Sequence, residues 1–206
     1  MKDAEMAVEC GAAAIGFIFH SQSPRYIPPE TARKIVVKLA GKITFVGVFV
    51  NKPLDYVHTV SNMVGLDFIQ LHGNESSEYC DLMKLPVLKA FRVDDKFDLK
   101  VINQYNVHAF LFDTYKKGIV GGTGKVFNWE LIANLTTNTP IIISGGLHID
   151  NIIDSIKAVS PNSIDINSGI ELSPGIKDRK KMMALFDVLK DIKLPLSPFF
   201  TDRKTG

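Results

Sequence analysis

"AAIGFIFHSQSPRYIPPETARKIVVKLAGKITFVGVFV", residues 13–50, holds the pattern that decides the architecture. Two nearly continuous apolar runs, 13–19 and 43–50, bracket a loop and a helical segment. Runs rich in Val, Ile and Phe without polar alternation are expected of strands covered on both faces, as in a parallel sheet. Between them "PPET" supplies a helix start, and Ala32, Ile35, Val36 and Leu39 recur at the spacing of one helical face. The stretch reads as strand, helix, strand, which is one parallel βα repeat.

The alternation continues. Runs at 66–71 ("LDFIQL"), 87–91 ("VLKAF"), 108–113 ("HAFLFD"), 140–144 ("PIIIS") and 163–167 ("SIDIN") bring the strands to seven. Ile149, Ile152, Ile153 and Ile156 form a second helical stripe, and Met182, Leu185, Phe186 and Leu189 a third, while "NESSE" is another helix start. An open doubly wound sheet would announce itself with G-x-G-x-x-G after its first strand, and that is absent. The glycines of residues 118–124 are no P-loop, because Val126 follows Lys125 and Ile119 occupies the leading-glycine position. The expected fold is therefore α/β, a (β/α)8 TIM barrel forming one domain over residues 1–194, with 195–206 a loose tail. Helical segments number eight, since "MKDAEMAVECG" reads as a helix ending at Gly11 before any strand. A βα barrel opens with a strand, so the chain reads as starting inside its first unit, with the first β-strand absent.

Bulk composition narrows the function. With 206 residues, 46% hydrophobic, and a net charge of +2 from 24 basic and 22 acidic side chains, nothing calls for nucleic acid or an anionic membrane. The densest basic group, Lys177, Arg179, Lys180 and Lys181, reads as the solvated side of a helix. Cys10 and Cys80 make no disulfide framework, "AAAIGFIF" is too short to span a bilayer, and no secretory signal is visible, so a cytoplasmic location is expected.

In a barrel the chemistry sits at the carboxyl ends of the strands. Those ends carry "HSQSPRY", Gln70 and His72, Asp113, and the small turns "SGG" (144–146) and "NSG" (167–169). Two successive glycine turns leading into helices suit a phosphate held by backbone N–H groups, or are simply tight turns. Asp113 closes an apolar run. It either caps the next turn or, partly desolvated at a barrel mouth, serves as a general acid. Arg25, stiffened by Pro24, either clamps a carboxylate through two parallel hydrogen bonds or is a solvated loop residue. His72 is a site or rim histidine, and Trp129 and Phe127 are expected to pack.

These residues carry a resemblance. "GAAAIGFIFHSQSPRYIPPETA", "GVFVN", "IQLHGNE", "LKAFRV", "FDT…GGTGKVFNW", "ISGGL" and "SGIELSPGIKD" resemble phosphoribosylanthranilate isomerase, in family order from about residue 3 to about residue 190. The resemblance implies an Amadori rearrangement of N-(5′-phosphoribosyl)anthranilate to 1-(2-carboxyphenylamino)-1-deoxyribulose 5-phosphate in tryptophan biosynthesis, with no cofactor and no metal. It implies Asp113 as general acid, Arg25 on the anthranilate carboxylate, His72 at the mouth, and Gly145, Gly146, Ser168 and Gly169 around the phosphate. The partner implied is a small phosphosugar, with the protein a monomer or homodimer. The loop 115–125, rich in glycine, is expected to fold over the substrate.

One departure stands out. The family opens with a strand reading Lys-Ile-Cys-Gly whose cysteine is the general base, and it has no counterpart here. Cys10 lies at the far end of a helix and Cys80 on an outer helix, so both are expected to be packing residues. The expectation is that Met1 is an internal methionine and the functional protein starts roughly ten residues earlier. The alternatives are an inactive phosphosugar-binding barrel and a metal-dependent sugar-phosphate epimerase, the last requiring a His/Asp cluster that the strand ends lack.

Overall fold

Apolar runs become strands where their amide groups find parallel neighbours, and among the described residues seven do so. The computed structural model describes residues 1–94, 96–113 and 129–192. After α1 (Lys2–Cys10), β1 (Ala14–Ile18), α2 (Pro29–Leu39), β2 (Thr44–Phe49), α3 (Leu54–Val64), β3 (Phe68–Leu71), α4 (Ser77–Asp81) and β4 (Val87–Arg92) alternate. A 3-10 turn (Leu99–Gln104) takes a helix's place before β5 (Ala109–Asp113), which precedes α5 (Glu130–Ala133), β6 (Ile141–Ser144), α6 (Ile152–Val159) and β7 (Ser163–Ile164). The seven strands pair in sequence order, all parallel, so each crossover returns beside the strand it left. This is the βα-barrel arrangement. β1 and β7 stand at its two ends, each hydrogen-bonded to one neighbouring strand.

Strand parity sorts the side chains. Val46, Leu88, Ala90, Ala109, Leu111 and Ile142 form an inner cluster, while Phe91, Phe110, Phe112 and Ile143 point outward against the helices. The α2 stripe is buried as expected, through Ala32, Ile35, Val36 and Leu39. Met182 and Leu185 of α7 (Arg179–Leu189) are buried too, with Phe186 and Leu189 packed alongside. Trp129 packs into the same outer cluster. Ser76 caps α4 by accepting the Tyr79 N–H at 3.2 Å, which confirms the helix start in "NESSE".

Four details differ from the sequence reading. Ile149 is 42% exposed and precedes α6, because Asn151 accepts the His148 N–H and delays the helix; the buried face is Ile152, Ser155, Ile156 and Val159. The strand read at 163–167 shortens to the two residues of β7, which pairs only with β6. An antiparallel hairpin, β8 (Glu171–Ser173) and β9 (Ile176–Lys177), follows it unforeseen. Lys177, read as part of a solvated helix face, lies on that hairpin and turns inward. The glycine loop 115–125 and the tail 195–206 lie outside the described residues.

Candidate active site

Parity also builds the rim. Asp113 follows Ala109 and Leu111 along β5 at period two, so it shares their inward direction at the strand's carboxyl end. It lies level with Arg92 on β4 and Ser144 on β6. On the other strands the same alternation carries Gln70 and His72 beyond Phe68, and Asp165 beyond Ser163. The polar ends of these strands therefore form one layer above the apolar interior.

Within that layer the contacts are specific. The Gln70 amide nitrogen lies 2.8 Å from His72 Nδ1, which leaves the ring proton on Nε2, 3.1 Å from Asp113 Oδ2. Ser144 Oγ donates to Asp165 Oδ2 at 3.1 Å. Burial pushes the Asp165 carboxyl above its usual range, with the negative charge of Asp113 adding to it and the Ser144 hydrogen bond and the Lys177 charge opposing it. A cavity of about 400 Å³ opens beside His72, lined also by Asn51, Gly73, Phe91, Arg92 and Tyr105.

The glycine turns adjoin one another. Gly145 and Gly146 sit at φ +89° and +64°, conformations that side-chain-bearing residues rarely adopt. Asn151 fixes the turn by donating to the Gly146 carbonyl at 3.0 Å. A Cβ on Gly169 would run into the Leu147 carbonyl, so the turn after β7 needs glycine to lie against the turn after β6. Among the described residues neither the Gly146 nor the Gly169 N–H has a protein acceptor.

Arg25 reaches this rim because its loop folds back: Ile27 donates to Ile18, and Ser23 Oγ accepts the Arg25 N–H. Its guanidinium meets a carboxylate of the protein itself. Nη2 donates to Glu171 Oε2 at 2.7 Å, and Nε lies 2.9 and 3.0 Å from the two oxygens. Lys177 Nζ bridges Asn167 Oδ1 (2.6 Å) and Glu171 Oε1 (3.3 Å).

The structure thus brings Asp113 and His72 into contact, and sets the Gly145–Gly146 and Ser168–Gly169 turns side by side. Asp165, Glu171 and Lys177 escaped the sequence reading. Asp165 carried the same signal as Asp113, a carboxyl in an apolar run; Glu171 and Lys177 had none, since only the hairpin brings them inward. Cys80 is buried on the helix side, where burial pushes its thiol up to about 11, and Cys10 packs near the end of α1. Among the described residues no His/Cys/Asp/Glu group could hold a metal ion.

Chemistry gathered at the carboxyl ends of parallel strands, with packing everywhere else, defines a βα-barrel enzyme. A protein-family model described as N-(5′-phosphoribosyl)anthranilate (PRA) isomerase matches residues 1–188. The chain belongs to that family. The N-(5′-phosphoribosyl)anthranilate isomerase of Geobacter metallireducens is 44% identical over 182 residues, 88% of this chain and 90% of its own. The crystal structure of the Thermotoga maritima enzyme aligns with a TM-score of 0.82 at 36% identity, covering 93% of this chain and 94% of its own. Another solved phosphoribosyl anthranilate isomerase, 34% identical with a TM-score of 0.78 over 90% of this chain and 91% of its own, holds reduced 1-(o-carboxyphenylamino)-1-deoxyribulose 5-phosphate.

Proposed function

We propose that this chain catalyses the isomerisation of N-(5′-phosphoribosyl)anthranilate to 1-(2-carboxyphenylamino)-1-deoxyribulose 5-phosphate, a step of tryptophan biosynthesis. The observation that carries this reading is the shared rim: Asp113 and the two glycine turns face one mouth, as a phosphosugar with a protonatable ring oxygen requires. Asp113 is the general acid, delivering a proton to the ribose ring oxygen as the C1′–O bond breaks and a Schiff base forms. Loss of the C2′ proton then gives an enolamine, which tautomerises to the ketone. His72, with its proton fixed on Nε2 by Gln70, orients the Asp113 carboxyl. Arg25 receives the anthranilate carboxylate, and the N–H groups around Gly145, Gly146, Ser168 and Gly169 receive the phosphate.

The resemblance assigns proton removal to a cysteine on a strand preceding α1, and neither Cys10 nor Cys80 lies at the rim to replace it. The same reading takes the chain as a cytoplasmic enzyme, monomeric or homodimeric; a Thermotoga maritima relative is dimeric, and no helix among the described residues is long and apolar enough to cross a membrane. The activity that the relatives share favours the isomerase over an inactive phosphosugar binder.

Complementation of a tryptophan auxotroph tests the reading, with the 206-residue chain and with a version extended by a Lys-Ile-Cys-Gly-bearing strand. Rescue by either supports isomerase activity, rescue by the extended form alone assigns the base to its thiol, and failure of both supports the inactive binder. In the active form, Asp113→Asn lowers kcat by roughly 10²–10⁴ with KM little changed, as expected for a general acid. Unchanged kcat would remove Asp113 from the chemistry.

A further inference from the structure

The guanidinium of Arg25 is held by a residue far along the chain. Glu171 grips it from the Nε–Nη2 edge with contacts of 2.7, 2.9 and 3.0 Å. The Glu171 side chain is only 4% exposed, against 26% for Arg25. Its carboxylate also accepts the Gly175 N–H at 3.1 Å and faces Lys177 Nζ at 3.3 Å. An acid so enclosed by donors is out of reach of solvent and substrate, and what it does is hold. Burial pushes Glu171 up, but the Arg25 hydrogen bond, the Gly175 N–H and Lys177 together keep it below its ordinary range, so it is an anion at neutral pH.

We infer that Glu171 is the positioning residue for recognition of the substrate's aromatic carboxylate: by gripping one edge of the Arg25 guanidinium it fixes the plane of the other. Arg25 sits on a loop, and an arginine loses rotamer freedom on binding unless something has already ordered it. Glu171 supplies that order before the substrate arrives. The inference rests on the reading of Arg25 as receiver of the anthranilate carboxylate, and it goes further by naming what makes that arginine selective.

Calorimetric titration tests it with two probes, reduced 1-(o-carboxyphenylamino)-1-deoxyribulose 5-phosphate and the same molecule without the ring carboxylate. Glu171→Gln should weaken the carboxylated probe about tenfold and leave the other within about twofold, because only a bidentate charged contact is lost. In an Arg25→Met background Glu171→Gln should add nothing, and in steady state it should raise KM rather than lower kcat. Glu171→Asp, which keeps the charge but withdraws it, should show the same selective loss to a smaller degree and serves if the glutamine variant does not fold. Equal weakening of both probes, or an effect that persists without Arg25, would overturn the inference and make Glu171 a support of the hairpin. A wild-type chain that binds neither probe overturns the inference together with the site reading. Selective loss in a chain that does not turn over its substrate would sink only the proposed reaction.

Discussion

Two carboxylate–cation pairs stand at opposite sides of the same rim and do different work. Glu75 and Lys89 are 3% and 2% exposed, 2.9 Å apart, and saturated: Glu75 also accepts the Asn51 and Gly73 N–H groups, and Lys89 also donates to the Leu71 and Gly73 carbonyls. They tie together the segments that follow β2 and β3, the latter carrying His72. Glu171 is as deeply buried as Glu75, but its cations, Arg25 and Lys177, are 26% and 21% exposed. In the first pair both charges are consumed by the protein. In the second the anion is buried, Lys177 is held by Asn167 as well, and the two cations remain partly exposed. The lesson is that two pairs of the same chemistry differ in the accessibility of one member, and only a partly exposed cation is placed to do more than hold the fold.

The largest effect should come from breaking the first pair. Lys89→Met leaves Glu75 buried with its main counter-charge gone, a situation that costs about 3–5 kcal/mol. Urea unfolding at neutral pH would read this as a lower midpoint with little change in slope. Glu171→Gln should cost less, about 1–2 kcal/mol, since Arg25 can turn to water and Lys177 keeps its Asn167 acceptors. Equal losses for the two variants would erase the distinction drawn above.

Acid sharpens the same contrast at smaller amplitude. Burial pushes Glu75 up, but Lys89 and the backbone N–H groups outweigh it and hold the carboxyl below its ordinary 4.5. A depressed folded-state value means stabilisation that is present above 4.5 and lost as pH falls through the folded-state value. Glu171 is shifted in the same direction. Thermal melts should therefore show Tm dropping as pH is lowered from 4.5 towards about 3, and Lys89→Met should flatten that drop. An unaltered slope in Lys89→Met would mean that the backbone donors alone hold Glu75.

The two pairs and the strands around them were unequally legible in the sequence. Strand–helix alternation was plain, because both-face burial writes itself as unbroken apolar runs and the α2 stripe as a period of 3.6. Asp113 was visible for the same reason, a carboxyl ending "FLF" having nowhere apolar to go. Lys89 sat in "VLKAF" like any strand lysine, and its partner Glu75 belonged to a helix start, so nothing local announced their pairing. Lys177 was misread because it adjoins Arg179, Lys180 and Lys181 in sequence, while the β8–β9 hairpin separates it from them in space. Contacts made across 146 positions, as between Arg25 and Glu171, leave no periodic trace in a single chain.

Asp165 offers the smallest test, and its sign is opposite. Burial raises its carboxyl above the ordinary 3.8, with Ser144 and Lys177 only partly compensating. A raised acid stabilises the fold below the unfolded-state value and loses that contribution as pH rises, so the ionisable carboxyl of Asp165 is a burden at neutral pH. Asp165→Asn removes the charge, keeps an acceptor for the Ser144 hydroxyl, and should raise Tm at neutral pH by the equivalent of about 1 kcal/mol. The gain should vanish below 3.8, where the wild-type carboxyl is neutral as well. If the same variant also loses turnover, Asp165 is a group kept at the rim against the interest of stability, as Glu171 and Lys89 are not. A variant neither more stable nor less active would make it an ordinary partner of Ser144.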